Sequence, residues 1–375
     1  MDTLTRRSFL RKSAGILSIP MLASQRFACS SQSKRGWFVS GRDTLDGKHQ
    51  IAVFTSHGEL VSSVLVAQRV HDQAIHPLNP ELIVFFSRRP GTEAYVFDIR
   101  EQSIVATFSA GEGRTFYGHG TFSAHGDYLY TCENDYTTGQ GVIAVRDAST
   151  WEKLSEFPSF GIGTHQIALM PGGKQLVVAN GGIATHPDMP RQKLNIDTMN
   201  PSLTYIEIES GSHIDSYLPS HHQMSIRHLD VAEDGTVGIA MQYQGSAHDI
   251  VPLLAFHRGQ TQLQYAQASE ETWRTMKQYT ASIRLSLTQN LAALTSPRGN
   301  AITFWDLDTM TLVHREAMTD VAGLAYSKSD NQFTCSTGLG DIFVFAKGSH
   351  KKMEARYYNT TNTRWDNHMS YIYTE

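Results

Sequence analysis

Apolar residues in this chain come in short runs broken by Gly, Asn, Asp and Pro, with few stretches of helical period. Short apolar or alternating runs bounded by turn residues are the signature of β-strands. The runs recur in a fixed order: an apolar strand, a Gly/Asp/Asn turn, a second apolar strand, a loop, then two more short strands. Such units open at His71 (later strands 82–87, 94–98, 104–108), His119 (128–132, 142–146, 153–157), His165 (175–180, 205–208, 213–217) and His228 (237–242, 253–257, 262–266). Two more open at Ser282 (291–295, 302–306, 311–315) and at 321–327 (333–336, 342–345). A partial unit at 37–41, 51–54 and 60–65 lacks its first strand, and a candidate for that strand lies at the far end, around His368 after Trp365-Asp366-Asn367.

A four-stranded unit repeated at ~40–50 residues is the period of a propeller blade. Pairing the last strand with the first unit closes the ring and removes an open edge. The expected fold is therefore all-β: a seven-bladed β-propeller over residues 36–375, its ring closed by the C-terminal strand pairing with the N-terminal blade. A pair of β-sandwiches is the alternative, and it accounts less well for the regular unit.

In a propeller the first strand of each blade lines the central channel, and the starts of these strands share one face with the loops between second and third strands. Five consecutive blades begin that strand with histidine: His368, His71, His119, His165 and His228. The register is not uniform, since His119 and His228 precede a turn glycine (Gly126, Gly235) by seven residues and His165 precedes Gly173 by eight. Imidazole binds Fe, Cu, Zn and Ni, so several converging on one axis would make a metal or haem site; the bland alternative is that each braces neighbouring blades. The same mouth is expected to collect Arg42, Arg88, Arg89, Glu133, Asp135, Gln242 and Arg298 from the loops, with Arg227 beside His228. Arginine forks suit carboxylates, phosphates and porphyrin propionates.

The insertion 181–202 is too long for an ordinary blade loop. Loops above ~12–15 residues in a compact domain are usually functional or disordered. It carries His186, a further candidate metal ligand, with Asp188, Arg191 and Lys193 as candidate ligand-binding residues. It is expected to be an ordered lid over the channel mouth.

Composition changes this picture little. The chain has 375 residues, 40% hydrophobic, and a formal charge of −4, so no basic excess points to nucleic acid. The first 30 residues belong to targeting: Thr5-Arg6-Arg7-Ser8-Phe9-Leu10-Arg11-Lys12 resembles a twin-arginine export signal, followed by an apolar segment at 14–23 too short to span a membrane well. That implies a periplasmic protein, with a lipid anchor on Cys29 as an open alternative. Cys132 and Cys335, in strands of well-separated units, are expected to be buried free thiols. No Cys-x-x-Cys-His, His-Glu-x-x-His, Gly-x-Ser-x-Gly or Walker pattern is present.

Several motifs together resemble an exported bacterial family of β-propellers that carries a domain-of-unknown-function label. They are Tyr117-Gly-His-Gly, Glu133-Asn-Asp-Tyr, Gly161-x-Gly-x-His, Val178-Ala-Asn-Gly-Gly-Ile, Thr185-His-Pro-Asp, Lys193-Leu-Asn-x-Asp-Thr-Met, Ser225-Ile-Arg-His-Leu, Thr295-Ser-Pro-Arg-Gly and Trp365-Asp-Asn-His. Members are encoded beside imelysin-type and di-haem peroxidase-like proteins in iron-uptake loci. The resemblance implies a periplasmic part in iron or other metal uptake, with imelysin-like and peroxidase-like partners, and brings no established reaction. Gln166 departs from the pattern, which has an acidic residue after the histidine.

The leading expectation is a monomeric binding or accessory propeller that holds Fe, Cu or haem at the channel mouth. A metal-dependent propeller enzyme, lactonase-like or an oxidoreductase, and an interaction platform with structural histidines are the alternatives.

Overall fold

The computed structural model describes residues 35–189, 192–348, 353–360 and 362–374. The export segment, Cys29 and Arg191 lie outside the described residues. Strands are numbered β1–β28 in chain order. They form seven four-stranded antiparallel sheets, the blades of a propeller. The innermost strands are β4 (Val70–Ile75), β8 (Arg114–Phe122), β12 (Thr164–Leu169), β16 (Met224–Val231), β20 (Ile283–Ser286), β24 (Val321–Ser327) and β28 (Thr363–Thr374).

The burial pattern of each blade follows from its place in the ring. Second strands sit between blades and are apolar along their length: β5 (Leu82–Ser87) and β21 (Leu291–Ser296) are almost wholly buried. Outermost strands present one face to solvent, and β23 (Leu312–Ala317) alternates accordingly. The hairpin turns follow their residues. Gly126, Gly173, Gly235, Asn290 and Asn331 take positive φ between the first two strands of five blades. Between the third and fourth strands of three blades, the carboxylates of Asp98, Asp147 and Asp306 accept from the backbone N–H groups two and three residues on, closing Asx turns.

Ring closure is as expected. β28 pairs antiparallel with β1 (Arg35–Thr44), with Val39 opposite Ser370, and Ser40 Oγ donates to the His368 carbonyl at 2.6 Å. Two elements were not foreseen. The strand β27 (Met353–Asn359) completes the seventh blade; its residues are mostly exposed and polar, so no apolar run announces it. A short helix, α1 (Glu270–Thr275), joins β19 (Gln264–Tyr265) to β20, capped by Ser269 and anchored by Trp273 stacked on Trp305 at 5.1 Å. Cys132 and Cys335 are free and buried, and burial raises both thiol pKa values. Among the described residues no helix is long and apolar enough to cross a membrane.

One irregularity recurs and positions the site. The pairing register slips near the start of the inner strand in six blades, between Val70 and Gln73, Phe116 and Gly120, Thr164 and Gln166, Ile226 and His228, Val321 and Gly323, and opposite Ser40–Arg42 on β28. These are β-bulges, which leave a residue unpaired and re-aim side chains. Five of the six fall at the histidines.

Candidate metal centre

The five inner-strand histidines meet on the channel axis. Ring centroids are 4.6 Å apart for His71–His368 and His228–His368, 4.7 Å for His165–His228, and 5.0 Å for His71–His119 and His119–His165. The widest of the measured pairs, His71–His228, is 6.4 Å. All five are buried. Sequence reasoning put them around the mouth; the bulges instead turn them into the bore, where they form a packed cluster below a cavity. Two sets bring ring nitrogens within 4.8 Å of one another: His71, His119 and His165, and His119, His228 and His368.

The outer nitrogens of three rings are tied down. His119 Nδ1 lies 2.7 Å from Asp72 Oδ2, and His71 Nδ1 lies 3.2 Å from Asp366 Oδ1. Ser282 Oγ donates to the Asn367 carbonyl at 2.9 Å, so its contact with His368 Nδ1 at 2.8 Å is one in which the imidazole N–H donates. These bonds assign the proton to Nδ1 and leave Nε2 of each ring as a lone pair facing the axis. Such outer partners fix tautomer and orientation in metal-bound histidines.

Within the cluster, four buried ring nitrogens have no hydrogen-bond partner among the described residues: Nε2 of His119 and His368, and Nδ1 of His165 and His228. An unsatisfied buried polar atom costs about 1–3 kcal/mol, so four in one cluster mark a place built for something that satisfies them. His119 has only Nε2 left to offer and belongs to both sets, so the two sets share that one nitrogen. The electrostatics suit ligation. Burial lowers His71 to about 4 and lowers His165, His228 and His368 well below the ordinary value, so these rings are neutral near pH 7, the form that binds metal. For Asp366, burial pushes upward, but the His71 hydrogen bond and Arg69 at 2.6 Å outweigh it and hold the carboxyl well below the usual range.

Gly118 makes the cluster possible. It lies in the β8 bulge with φ +93°, and a Cβ there would sit 2.7 Å from His71 Cδ2. Only glycine allows the Tyr117-Gly118-His119 backbone to pass that ring.

Above the cluster lies a cavity of about 100 Å³ lined by His71, His165, His228, Arg88, Arg89, Arg227, Tyr117, Tyr279, Gln242 and Asn367. Of the residues expected at the mouth, Arg88, Arg89, Arg227 and Gln242 line it. Arg298 packs its guanidinium over the Tyr279 ring at 4.3 Å, and Lys193 bonds Gln244 close by.

Others belong elsewhere. Arg42 bonds Gln50 and Thr363 across the closing blade. Glu133, expected on a loop, is wholly buried in a strand and paired with Arg146 at 2.9 Å, with Arg114 at 3.8 Å. Asp135 caps the turn at Thr137 and Thr138 and faces Arg114. His186 stays outside the cluster, edge-on to Tyr136 and 3.5 Å from the exposed Asp188. Sequence reasoning missed Asp72, Asp366 and Ser282 as partners and Tyr117 and Tyr279 as cavity walls. Asp72 could have been suspected from the His71-Asp72 pair, but its contact is with the next blade's histidine.

The insertion is docked on the same face. Asn195 accepts from the Ala184 N–H and donates to the Gly182 carbonyl, Met199 is buried, Ser225 Oγ donates to the Gly181 carbonyl, and Thr185 Oγ1 is 3.3 Å from the Tyr117 hydroxyl.

Comparison with known proteins agrees with the fold and leaves the chemistry to the site. The sequence profile of a family described as "Protein of unknown function (DUF1513)" matches residues 64–372. No curated protein matches the sequence. Among solved structures, hydrazine synthase of Kuenenia stuttgartiensis is similar, with TM-score 0.59, 14% identity, and 84% of this chain and 90% of that chain covered. At that identity the likeness is one of fold alone.

Proposed function

The chain belongs to the DUF1513 family, whose function is unknown, and from the site itself we propose that it binds one transition-metal ion through the histidine cluster inside the propeller. The observation that carries this reading is the cluster itself, in which four buried ring nitrogens lack partners and His119 joins two three-histidine sets. A histidine that merely braces blades uses its ring nitrogens on protein groups; these face one another. An all-imidazole donor set suits Fe, Cu, Zn or Ni. Haem fits poorly, since the rings are packed 4.6–6.4 Å apart and the cavity is well below the ~300–1,000 Å³ of pockets that take drug-sized ligands.

The wider role we propose is a binding or accessory protein of iron or other metal acquisition, exported to the periplasm. The Arg6-Arg7 segment supports export in the folded state, and the family resemblance supports imelysin-like and peroxidase-like partners. The insertion acts as a lid beside the cavity. A metal-dependent enzyme is the second reading, favoured by the cavity that leaves one side of the cluster open, as catalytic metal sites require.

Titration of metal-free protein with Fe(II), Cu(II), Zn(II) and Ni(II) tests the central reading. The expected result is stoichiometric binding of at least one of these, abolished in His165→Ala/His228→Ala with the β-sheet circular dichroism unchanged. A metal-free protein that binds none of them, or a double variant that unfolds while the parent ignores metal, would return the histidines to a structural role. Turnover of a lactone or peroxide panel by the metal-loaded protein favours the enzyme reading.

A further inference from the structure

The cavity above the histidines holds positive charge that the protein itself does not balance. Arg88 and Arg89 follow β5, and Arg227 sits in the β16 bulge. Arg88 reaches one acid, Asp366 at 3.8 Å, a carboxylate already engaged by Arg69 and His71. Arg89, Arg227, Arg298 and Lys193 have no carboxylate within ion-pair distance among the described residues; their contacts are Tyr117, Gln242, Tyr279 and Gln244. The crowding is felt. Burial, then the charges of Arg227, Arg298 and Arg89, lowers Lys193 below its ordinary value. Guanidinium groups gathered without a counter-charge, two of them over tyrosine rings, present N–H forks of the kind that match carboxylate and phosphate oxygens.

The floor of this cavity is the metal cluster, because His71, His165 and His228 line it together with the arginines. A ligand in the cavity therefore touches both. Its volume, about 100 Å³, equals a few waters at ~30 Å³ each, which is the size of a small anion.

We propose that the cavity between the histidine cluster and Arg88, Arg89 and Arg227 binds a small oxyanion, a carboxylate or phosphate with two or more oxygens, as co-ligand of the metal. The inference rests on the metal reading above. The anion neutralises the arginines and supplies oxygen donors on the open side of the cluster, so metal and anion bind cooperatively, each raising the other's affinity by the same factor.

Co(II), followed by its visible absorbance, is the probe, with free Co(II) held equal in chloride, inorganic phosphate and oxalate. The expected result is a gain in Co(II) affinity of about 5–150-fold in phosphate or oxalate over chloride, with altered visible bands, and the stronger of the two identifies the oxyanion class. Arg89→Gln/Arg227→Gln loses the gain: its Co(II) affinity in phosphate or oxalate is no higher than its own affinity in chloride. Equal affinity in all three salts, or a double variant that retains the full gain, overturns the co-ligand while leaving the metal site standing. Absence of Co(II) binding in every salt overturns both. The parent protein's salt comparison decides the matter even if the double variant fails to fold.

Discussion

His119 has one ring nitrogen to give, because Asp72 holds the other. That makes Asp72 the positioning residue whose loss is most readable. Asp72→Asn keeps the size and removes the charge, and a 10–100-fold loss of metal affinity is expected from equilibrium titration, the usual cost of losing an outer partner. The neutral rings also set a pH dependence for the metal-free protein. His71 titrates at about 4 when folded, through burial, and His165, His228 and His368 are lowered too, against an unfolded value near 6.5. Their folded pKa values are depressed, so the unfolded chain binds more protons below pH 6.5 and stability is lost as pH falls toward 4. Denaturant unfolding of the metal-free protein between pH 7 and 4 should show the loss, and His71→Gln should reduce its slope.

At the level of the strand, the bulge does what the sequence could not reveal. The repeat of strand and turn is written in apolar runs and in Gly, Asn and Asp, so blades and their order were legible. A bulge is a property of pairing between two strands, and nothing in His165-Gln166 or Arg227-His228 taken alone says which residue drops out of register. Hence the histidines were expected at the rim and are found in the bore. Glu133 was misread for a related reason: its partner Arg146 is on the neighbouring strand β10 (Gly141–Asp147), so a charge that looked solvated is buried in a pair. The bulge at Gly118 gives a direct test. Gly118→Ala places a methyl against His71 and forces an alanine to positive φ, at a cost of about 1–2 kcal/mol from the backbone alone. The expected outcome is a lower melting temperature together with weakened metal binding. A variant that melts lower but binds metal unchanged would show that His71 is not needed.

For the whole molecule, closure and site share one strand. β28 supplies the innermost strand of the first blade and also carries Asp366, Asn367 and His368. Ending the chain at residue 362 therefore opens the ring and removes part of the cluster; thermal unfolding is expected to lose its single sharp transition and metal binding to vanish. The insertion is different, since it docks on the face through Asn195, Met199 and Gly181 without belonging to a blade sheet. Replacing 184–199 with a short glycine-serine link should leave the melting temperature within a few degrees and speed metal exchange, measured by transfer to a chelator. What stayed hidden at this scale was α1, a single turn and a half whose role is to seat Trp273 on Trp305, and β27, whose residues are mostly exposed and polar, with Tyr357 and Asn359 bonding Asp341 on the neighbouring strand.

The most direct measurement is the metal content of the protein recovered after export through its own N-terminal segment, with X-ray absorption at the edge of whatever metal is found. The account predicts one transition-metal ion per chain in an all-nitrogen or nitrogen-oxygen shell, with the imidazole scattering reduced in His228→Ala. A protein recovered folded and free of metal, that also takes up none of Fe, Cu, Zn, Ni or Co when they are supplied, would contradict it.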